Sequence, residues 1–183
     1  MSKTLSAEAT DRLKSVRWLV LDVDGVLTDG WVILDDDGRE TKHFNVRDGH
    51  ALKMIMRYGI DVMLLTGRRS QVVEHRARDL GITEVHQKVT NKLEYFTEMM
   101  DRKGMSFDEI AYMGDDVVDI PLLKRVAFSA TVADAAEEVL PMVDYVSSCR
   151  GGQGAVRDVC KIILKAQGKW EDVAKRYHFP ESL

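Results

Sequence analysis

Short apolar runs alternate with amphipathic stretches along this chain. Residues 16–22 (Val-Arg-Trp-Leu-Val-Leu-Asp) are apolar, β-rich and brief, the pattern of a strand buried on both faces. The polar, charged stretch before them predicts an N-terminal helix. Residues 31–34 and 40–45 flank Asp35-Asp36-Asp37-Gly38 and read as a β-hairpin closed by an Asp-Gly turn, a flap over about residues 31–45. Leu52, Ile55 and Met56 then recur at helical spacing, with Asp48 placed to cap the helix and Gly59 to stop it.

The alternation continues to the end of the chain. A strand at 61–65 leads into Thr66-Gly67-Arg68-Arg69 and a helix ended by Gly81. Strands are expected at 84–86, 110–113, 127–130 and 144–146, and helices at 91–103, after Asp116, at 133–139 and at 154–166. Strands alternating with helices predict an α/β fold, a doubly wound open parallel sheet covered on both faces, and one domain over residues 1–183. Such sheets bind ligands outside the carboxyl ends of their strands, where strand order reverses. Asp22, Asp24, Thr66, Asp115 and Asp116 each follow a predicted strand, so the fold should gather them at one edge.

Composition narrows the partners. The chain is 45% hydrophobic and 31% charged with a net charge of -4, and its Lys and Arg are dispersed, so no basic footprint for nucleic acid is present. No apolar run approaches the ~20 residues that span a bilayer, and the N-terminal stretch is not signal-like, so no membrane partner is expected and the cytoplasm is the predicted compartment. Cys149 and Cys160 lack the spacing of a disulfide framework or a metal site and are assigned no chemistry.

Two acidic clusters carry the chemistry. Asp22-Val23-Asp24-Gly25-Val26-Leu27-Thr28-Asp29-Gly30 crowds three carboxylates into the loop where a buried strand reaches solvent. Like charges this close are costly unless a divalent cation neutralises them, and hard oxygen ligands suit magnesium better than zinc. Read alone, the string also fits an acidic turn in which Asp and Gly serve geometry. The second cluster, Gly114-Asp115-Asp116-Val117-Val118-Asp119, opens a helix; capping explains Asp116 but not Asp115 and Asp119 as well. Between the clusters, Thr66 and Gly67 begin a helix whose hydroxyl and free N–H groups can receive phosphate oxygens, and Lys92 starts another.

The order Asp-x-Asp, Thr-Gly, Lys, Gly-Asp-Asp-x-x-x-Asp resembles the four motifs of the haloacid dehalogenase-like superfamily, across roughly residues 17–146. The resemblance implies that Asp22 is a nucleophile forming an aspartyl-phosphate and that Asp24 is the general acid and base. It makes Thr66, Gly67 and Lys92 the phosphate site, and Asp22, the Asp24 carbonyl and Asp115 the ligands of Mg2+, with Asp116 and Asp119 in support. Residues 22–66 and 66–92 leave no room for the cap domain common in this superfamily. An uncapped site needs cover from a neighbouring subunit, so oligomerisation is expected.

The fuller strings Asp-Val-Asp-Gly-Val-Leu-Thr-Asp-Gly, Phe44-Asn45-Val46-Arg47-Asp48-Gly49 and Gly151-Gly152-Gln153-Gly154-Ala155-Val156-Arg157 are similar to the 3-deoxy-D-manno-octulosonate 8-phosphate (KDO 8-phosphate) phosphatases. That likeness implies an uncapped homotetramer acting on an acidic sugar phosphate whose product feeds lipopolysaccharide synthesis. Cationic groups should then meet the substrate carboxylate, with Arg47, Arg68 and Arg76 as candidates. Related nonulosonate 9-phosphate phosphatases tend to carry Glu where Arg68 stands, so Arg68 favours the eight-carbon acid. A nine-carbon substrate and a non-catalytic regulatory subunit that keeps the fold remain as alternatives. The tail at 169–183, with Trp170, Tyr177, His178 and Phe179, is expected to pack on its own domain or on a neighbour's site.

Overall fold

The computed structural model describes residues 5–180. Its centre is a six-stranded parallel sheet: β1 (Trp18–Leu21), β4 (Asp61–Leu65), β5 (Glu84–His86), β6 (Ile110–Met113), β7 (Phe128–Thr131) and β8 (Tyr145–Val146). These lie in the order β5-β4-β1-β6-β7-β8, so the chain builds outward from β1 to one edge and then restarts on the other side at β6. The reversal falls between β1 and β6. Leu21 is in register with Leu64 on one side and Met113 on the other, which brings the ends of all three strands level.

Period-two alternation sends side chains to both faces. Leu19, Leu21, Val62, Leu64, Ala111 and Met113 pack in one cluster with the buried sides of α1 (Ala7–Arg12), α2 (Val46–Arg57), α3 (Gln71–Leu80) and α6 (Ala155–Ala166). Val20, Met63, Leu65, Ile110 and Tyr112 pack on the opposite face with Phe96, Met99 and Met100 of α4 (Lys92–Lys103) and with Leu122 and Leu123 of α5 (Ile120–Leu123). Burying each such side chain contributes about 1.5–3 kcal/mol, so both layers hold the sheet.

Five local expectations change. The helix expected to begin at Thr66 and Gly67 starts only at Gln71, with the Ser70 side chain as its cap, so Thr66 and Gly67 lie in the loop before it. The hairpin forms, but its strands β2 (Ile33–Leu34) and β3 (Glu40–Thr41) are two residues each. Asp48 does not cap its own helix: Asn45 does, accepting from the Arg47 N–H at 2.8 Å. Buried Asp48 instead accepts from the N–H groups of Gly154 (3.1 Å) and Arg157 (2.8 Å), capping α6 from α2. Residues 133–139 turn without forming a helix: the Ala136 N–H, which a helix would send back to the Val132 carbonyl, bonds the distant Asp115 carbonyl at 2.9 Å instead. The segment after Asp116 begins as a 3-10 turn, with only the short α5 behind it.

The tail folds back on its own chain as α7 (Trp170–Tyr177). Trp170, Val173 and Ala174 are buried, the Trp170 and Phe179 rings meet, and the Tyr177 hydroxyl accepts from Arg57 of α2. Residues 181–183 of the expected tail lie outside the described residues.

Candidate active site

At the sheet reversal the strand ends open into a cavity of about 510 Å³ lined by Asp22, Asp24, Thr66, Gly67, Arg68, Lys92, Asp115 and Asp116, with Gly30, Val89, Thr90 and Val118. The main chain of Asp22 continues the ladder past β1, its N–H bonding the Met113 carbonyl at 2.9 Å. The loop beyond it is tied by the Thr28 hydroxyl, which accepts from the Gly25 and Gly30 N–H groups and donates to the Val23 carbonyl (3.3 Å each). Gly25 has φ +90°, and a Cβ there would lie 2.0 Å from Asp115 Oδ2. A side chain at position 25 would therefore fill the space the second acidic cluster needs.

Lys92, the first residue of α4, is buried with its Nζ 2.9 Å from Asp22 Oδ1 and 2.6 Å from Asp119 Oδ1. Asp119 is fully engaged. Its Oδ1 also accepts from the Tyr112 hydroxyl at 2.5 Å, and its Oδ2 from the N–H groups of Asp115 (3.0 Å) and Asp116 (3.2 Å). It therefore orients Lys92 and the Asp115 backbone, while Asp22 and Asp115 keep carboxylate oxygens turned to the cavity.

The electrostatics follow from this crowding. Burial lifts the Asp22 carboxyl to about 6, against the pull of Lys92. Burial, then the charges of Asp22, Asp119 and Asp116, lift Asp115 to about 8. Burial works against the Lys92 ammonium, but Asp22 and Asp119 outweigh it and hold its pKa above the usual lysine value. Two carboxyls raised this far, one buried and one half-buried, lack sufficient positive charge around them. Asp22, Asp115 and Asp119 have carboxylate oxygens within 4.8 Å of one another, and since Asp119 is already engaged, Asp22 and Asp115 are the oxygen donors left to a hard divalent cation, with Asp119 adding its charge from behind.

Thr66 is buried, bonded through its N–H to the His86 carbonyl and accepting from the Arg68 N–H at its hydroxyl (3.3 Å). Arg68 reaches the cavity rim and pairs with Glu40 of the flap at 2.9 Å. The other two arginines expected at the substrate are placed elsewhere. Arg76 is held by Asp79 (2.7 Å), lies over the Phe44 ring, and packs so closely on Gly49 that a Cβ there would sit 2.1 Å from Nη2. It joins α3 to α2 outside the cavity. Arg47 is exposed on the first turn of α2 and does not line the cavity either.

Sequence reasoning missed Lys42, Glu40 and Tyr112. The Lys42 side chain is 1% exposed and is ion-paired with Asp24 and, at 3.2 Å, with Glu40. A lone Lys in a flap carries no signal of burial. Tyr112 reads as a core strand residue, and only its hydroxyl, at Asp119 and 3.3 Å from Lys92 Nζ, ties it to the site.

Comparison with known proteins agrees with this geometry. Residues 76–157 match the family model of haloacid dehalogenase-like hydrolases. The 3-deoxy-D-manno-octulosonate 8-phosphate phosphatase KdsC of Escherichia coli (strain K12) is 41% identical over 168 residues, covering 92% of this chain and 89% of that protein. The crystal structure of the Yersinia pestis phosphatase of the same name superposes with a TM-score of 0.87 at 41% identity, over 90% of this chain and 89% of that one. The Moraxella catarrhalis phosphatase, solved with magnesium ion, phosphate ion and KDO, superposes at 0.90 with 35% identity, over 93% and 98%. With two-fifths of its residues shared along nearly the full length of both chains, this protein belongs to the 3-deoxy-D-manno-octulosonate 8-phosphate phosphatase family of haloacid dehalogenase-like hydrolases.

Proposed function

We propose that this protein is a magnesium-dependent phosphatase that hydrolyses 3-deoxy-D-manno-octulosonate 8-phosphate to the free sugar acid and phosphate. The observation that carries the reading is the meeting, at one strand-end cavity, of Asp22 with Lys92 on one oxygen and Asp115 beside it. The relatives at 41% identity bear the eight-carbon name, which favours that substrate over a nine-carbon acid and favours an enzyme over a silent subunit.

Asp22 attacks phosphorus, and the bond to the sugar oxygen breaks as the aspartyl-phosphate forms. Asp24 gives its proton to the departing oxygen, then takes one from the water that cleaves the intermediate. The Thr66 hydroxyl, the Gly67 backbone and the Lys92 ammonium hold the phosphoryl oxygens. Asp22, Asp115 and the Asp24 carbonyl would hold Mg2+, with Asp116 and Asp119 in support; bound there, the cation offsets repulsion between nucleophile and phosphate. Arg68, at the rim, is placed to meet the substrate carboxylate.

The active form in this reading is a cytoplasmic homotetramer. Trp31, Val32 and Leu34 of the flap are 71%, 54% and 58% exposed, an apolar surface suited to a neighbouring copy. Among the described residues no helix is long and apolar enough to cross a membrane. Phosphate release from eight- and nine-carbon acidic sugar phosphates, measured with Mg2+ and with chelator on the native protein, Asp22→Asn and Asp24→Asn, tests the assignment. Release should be fastest on the eight-carbon ester, need Mg2+, and fall by at least about 10²-fold in both variants. Full activity of Asp22→Asn would sink it.

A further inference from the structure

One buried charge near the site has no part in the steps above. Lys42 lies just past the short flap strand β3, its side chain 1% exposed, and does not line the cavity. It stands behind Asp24, donating to Asp24 Oδ1, and its second carboxylate partner is Glu40 at 3.2 Å. Glu40 uses the same oxygen, Oε1, to accept from Arg68 Nη2 at 2.9 Å. A continuous chain of charges thus runs Asp24–Lys42–Glu40–Arg68, from the proposed acid through the flap to the cavity rim.

Removing an ammonium from water is costly, and its burial is tolerable here because two carboxylates receive it. A surface flap needs no such charge for its own stability, since exposed pairs contribute only about 0–1 kcal/mol. The β2–β3 turn lets the flap fold back and carry Lys42 to the oxygen of Asp24. Asp24 follows the nucleophile by two residues in a loop whose own bonds, from Thr28, fix the backbone but not the Asp24 side chain.

We propose that Lys42 is a positioning residue: it aims the Asp24 carboxyl at the leaving-group oxygen, with Glu40 holding Lys42 in place and tying it to Arg68. This rests on the reading of Asp24 as general acid. It assigns the flap a role in the reaction step as well as in covering the site. A misplaced acid matters only where the departing oxygen needs a proton, so the expected defect depends on the leaving group.

The test compares kcat/KM, which covers all steps through release of the alcohol, for KDO 8-phosphate and for p-nitrophenyl phosphate, whose phenolate departs without a proton. Lys42→Met and Lys42→Gln should lose about 10²-fold on the sugar phosphate, and at least tenfold less on the aryl ester. Glu40→Gln, at a half-buried site and so less exposed to folding failure, should show the same asymmetry in milder form. Asp24→Asn serves as reference and should show it most strongly. Equal losses on both esters in the Lys42 and Glu40 variants, with Asp24→Asn still asymmetric, would overturn the role of Lys42 alone. A symmetric loss in Asp24→Asn would overturn it together with the general-acid reading beneath it.

Discussion

Lys92 Nζ lies 2.9 Å from Asp22 Oδ1, so the proposed nucleophile shares its carboxylate with a buried ammonium at the start of α4. The same ammonium is fixed from behind by Asp119 at 2.6 Å. Because both carboxylates are buried with it, their attraction is little weakened by solvent. In the proposed mechanism Lys92 therefore has two tasks, neutralising the acidic cluster and offering a cation to the phosphoryl group.

Replacing Lys92 by Met separates these tasks from packing, since the two side chains have similar length. Turnover of the sugar phosphate should fall about 10²–10³-fold. Breaking a buried pair costs about 3–5 kcal/mol, so the urea midpoint with chelator should drop as well. Added Mg2+ should recover part of the stability but not the turnover. Phosphate release and urea melts with and without Mg2+ check this, and a variant keeping a tenth of native turnover would contradict it.

The raised carboxyl of Asp115 makes stability and metal binding depend on pH. An unfolded Asp titrates near ~3.9, whereas Asp115 in the folded, metal-free protein titrates at about 8. Between those values the folded state binds the extra proton, so metal-free stability should fall as pH rises through the window. Asp22, lifted to about 6, acts in the same direction over a narrower range. Mg2+ must displace these protons, so its stabilising effect should be larger at pH 8.5 than at pH 6. Thermal melts across this range should show it, with a flatter metal-free profile for Asp115→Asn. A metal-free melting temperature that climbs between pH 6 and 8.5 would rule the account out.

Gly25 should tolerate no side chain. Its φ of +90° disfavours an L-residue, and a Cβ would stand 2.0 Å from Asp115 Oδ2. Gly25→Ala is expected to fold, with a stability loss of about 1–3 kcal/mol, and to push Asp115 away from Asp22. Mg2+ should then bind more weakly and turnover should drop by about 10²-fold. Titrating Mg2+ by thermal shift and measuring phosphate release separates the two effects; native Mg2+ affinity in Gly25→Ala would argue against the steric coupling.

Asp22, Thr66, Lys92 and Asp115 were legible in the chain because each sits where an apolar run ends or a helix begins, and parallel topology sends such positions to one edge. Side chains that reach the site from elsewhere were not. Lys42 is surrounded by Thr41 and His43 in the polar second half of the flap, and only the folding back of the hairpin buries it against Asp24. Arg76 has the right charge and the right helix, yet Asp79, Phe44 and Gly49 hold it outside the cavity. Residues 133–139 look helical by composition, with Ala and Glu throughout. The Ala136 N–H, which a helix would send to Val132, is taken by Asp115, and a long-range bond overrides a local preference.

Asp48 gives the last case, since its sequence position suggested a local cap and its structure shows a long-range one. It bonds the Gly154 and Arg157 N–H groups at the start of α6, where no side chain of α6 itself provides a cap. The loop just before α6 presses on the nucleophile loop: Gly152 N–H bonds the Val26 carbonyl at 3.0 Å, and a Cβ on Gly151 would lie 1.9 Å from the Gly25 carbonyl oxygen. Asn45 adds a bond to the Gly152 carbonyl at 3.2 Å. Losing the cap should therefore reach the site through this wall. Asp48→Ala leaves two N–H groups without an acceptor and should cost about 1–3 kcal/mol for each that stays buried. Asp48→Asn, which keeps one acceptor oxygen, should cost less. Both should lower kcat more than they raise KM, because the displaced loop carries Asp22 and Asp24 and not the rim residue Arg68. Urea melts paired with steady-state phosphate release decide the matter: a native urea midpoint in Asp48→Ala would show that the cap is dispensable, and an effect confined to KM would break the link between α6 and the nucleophile loop.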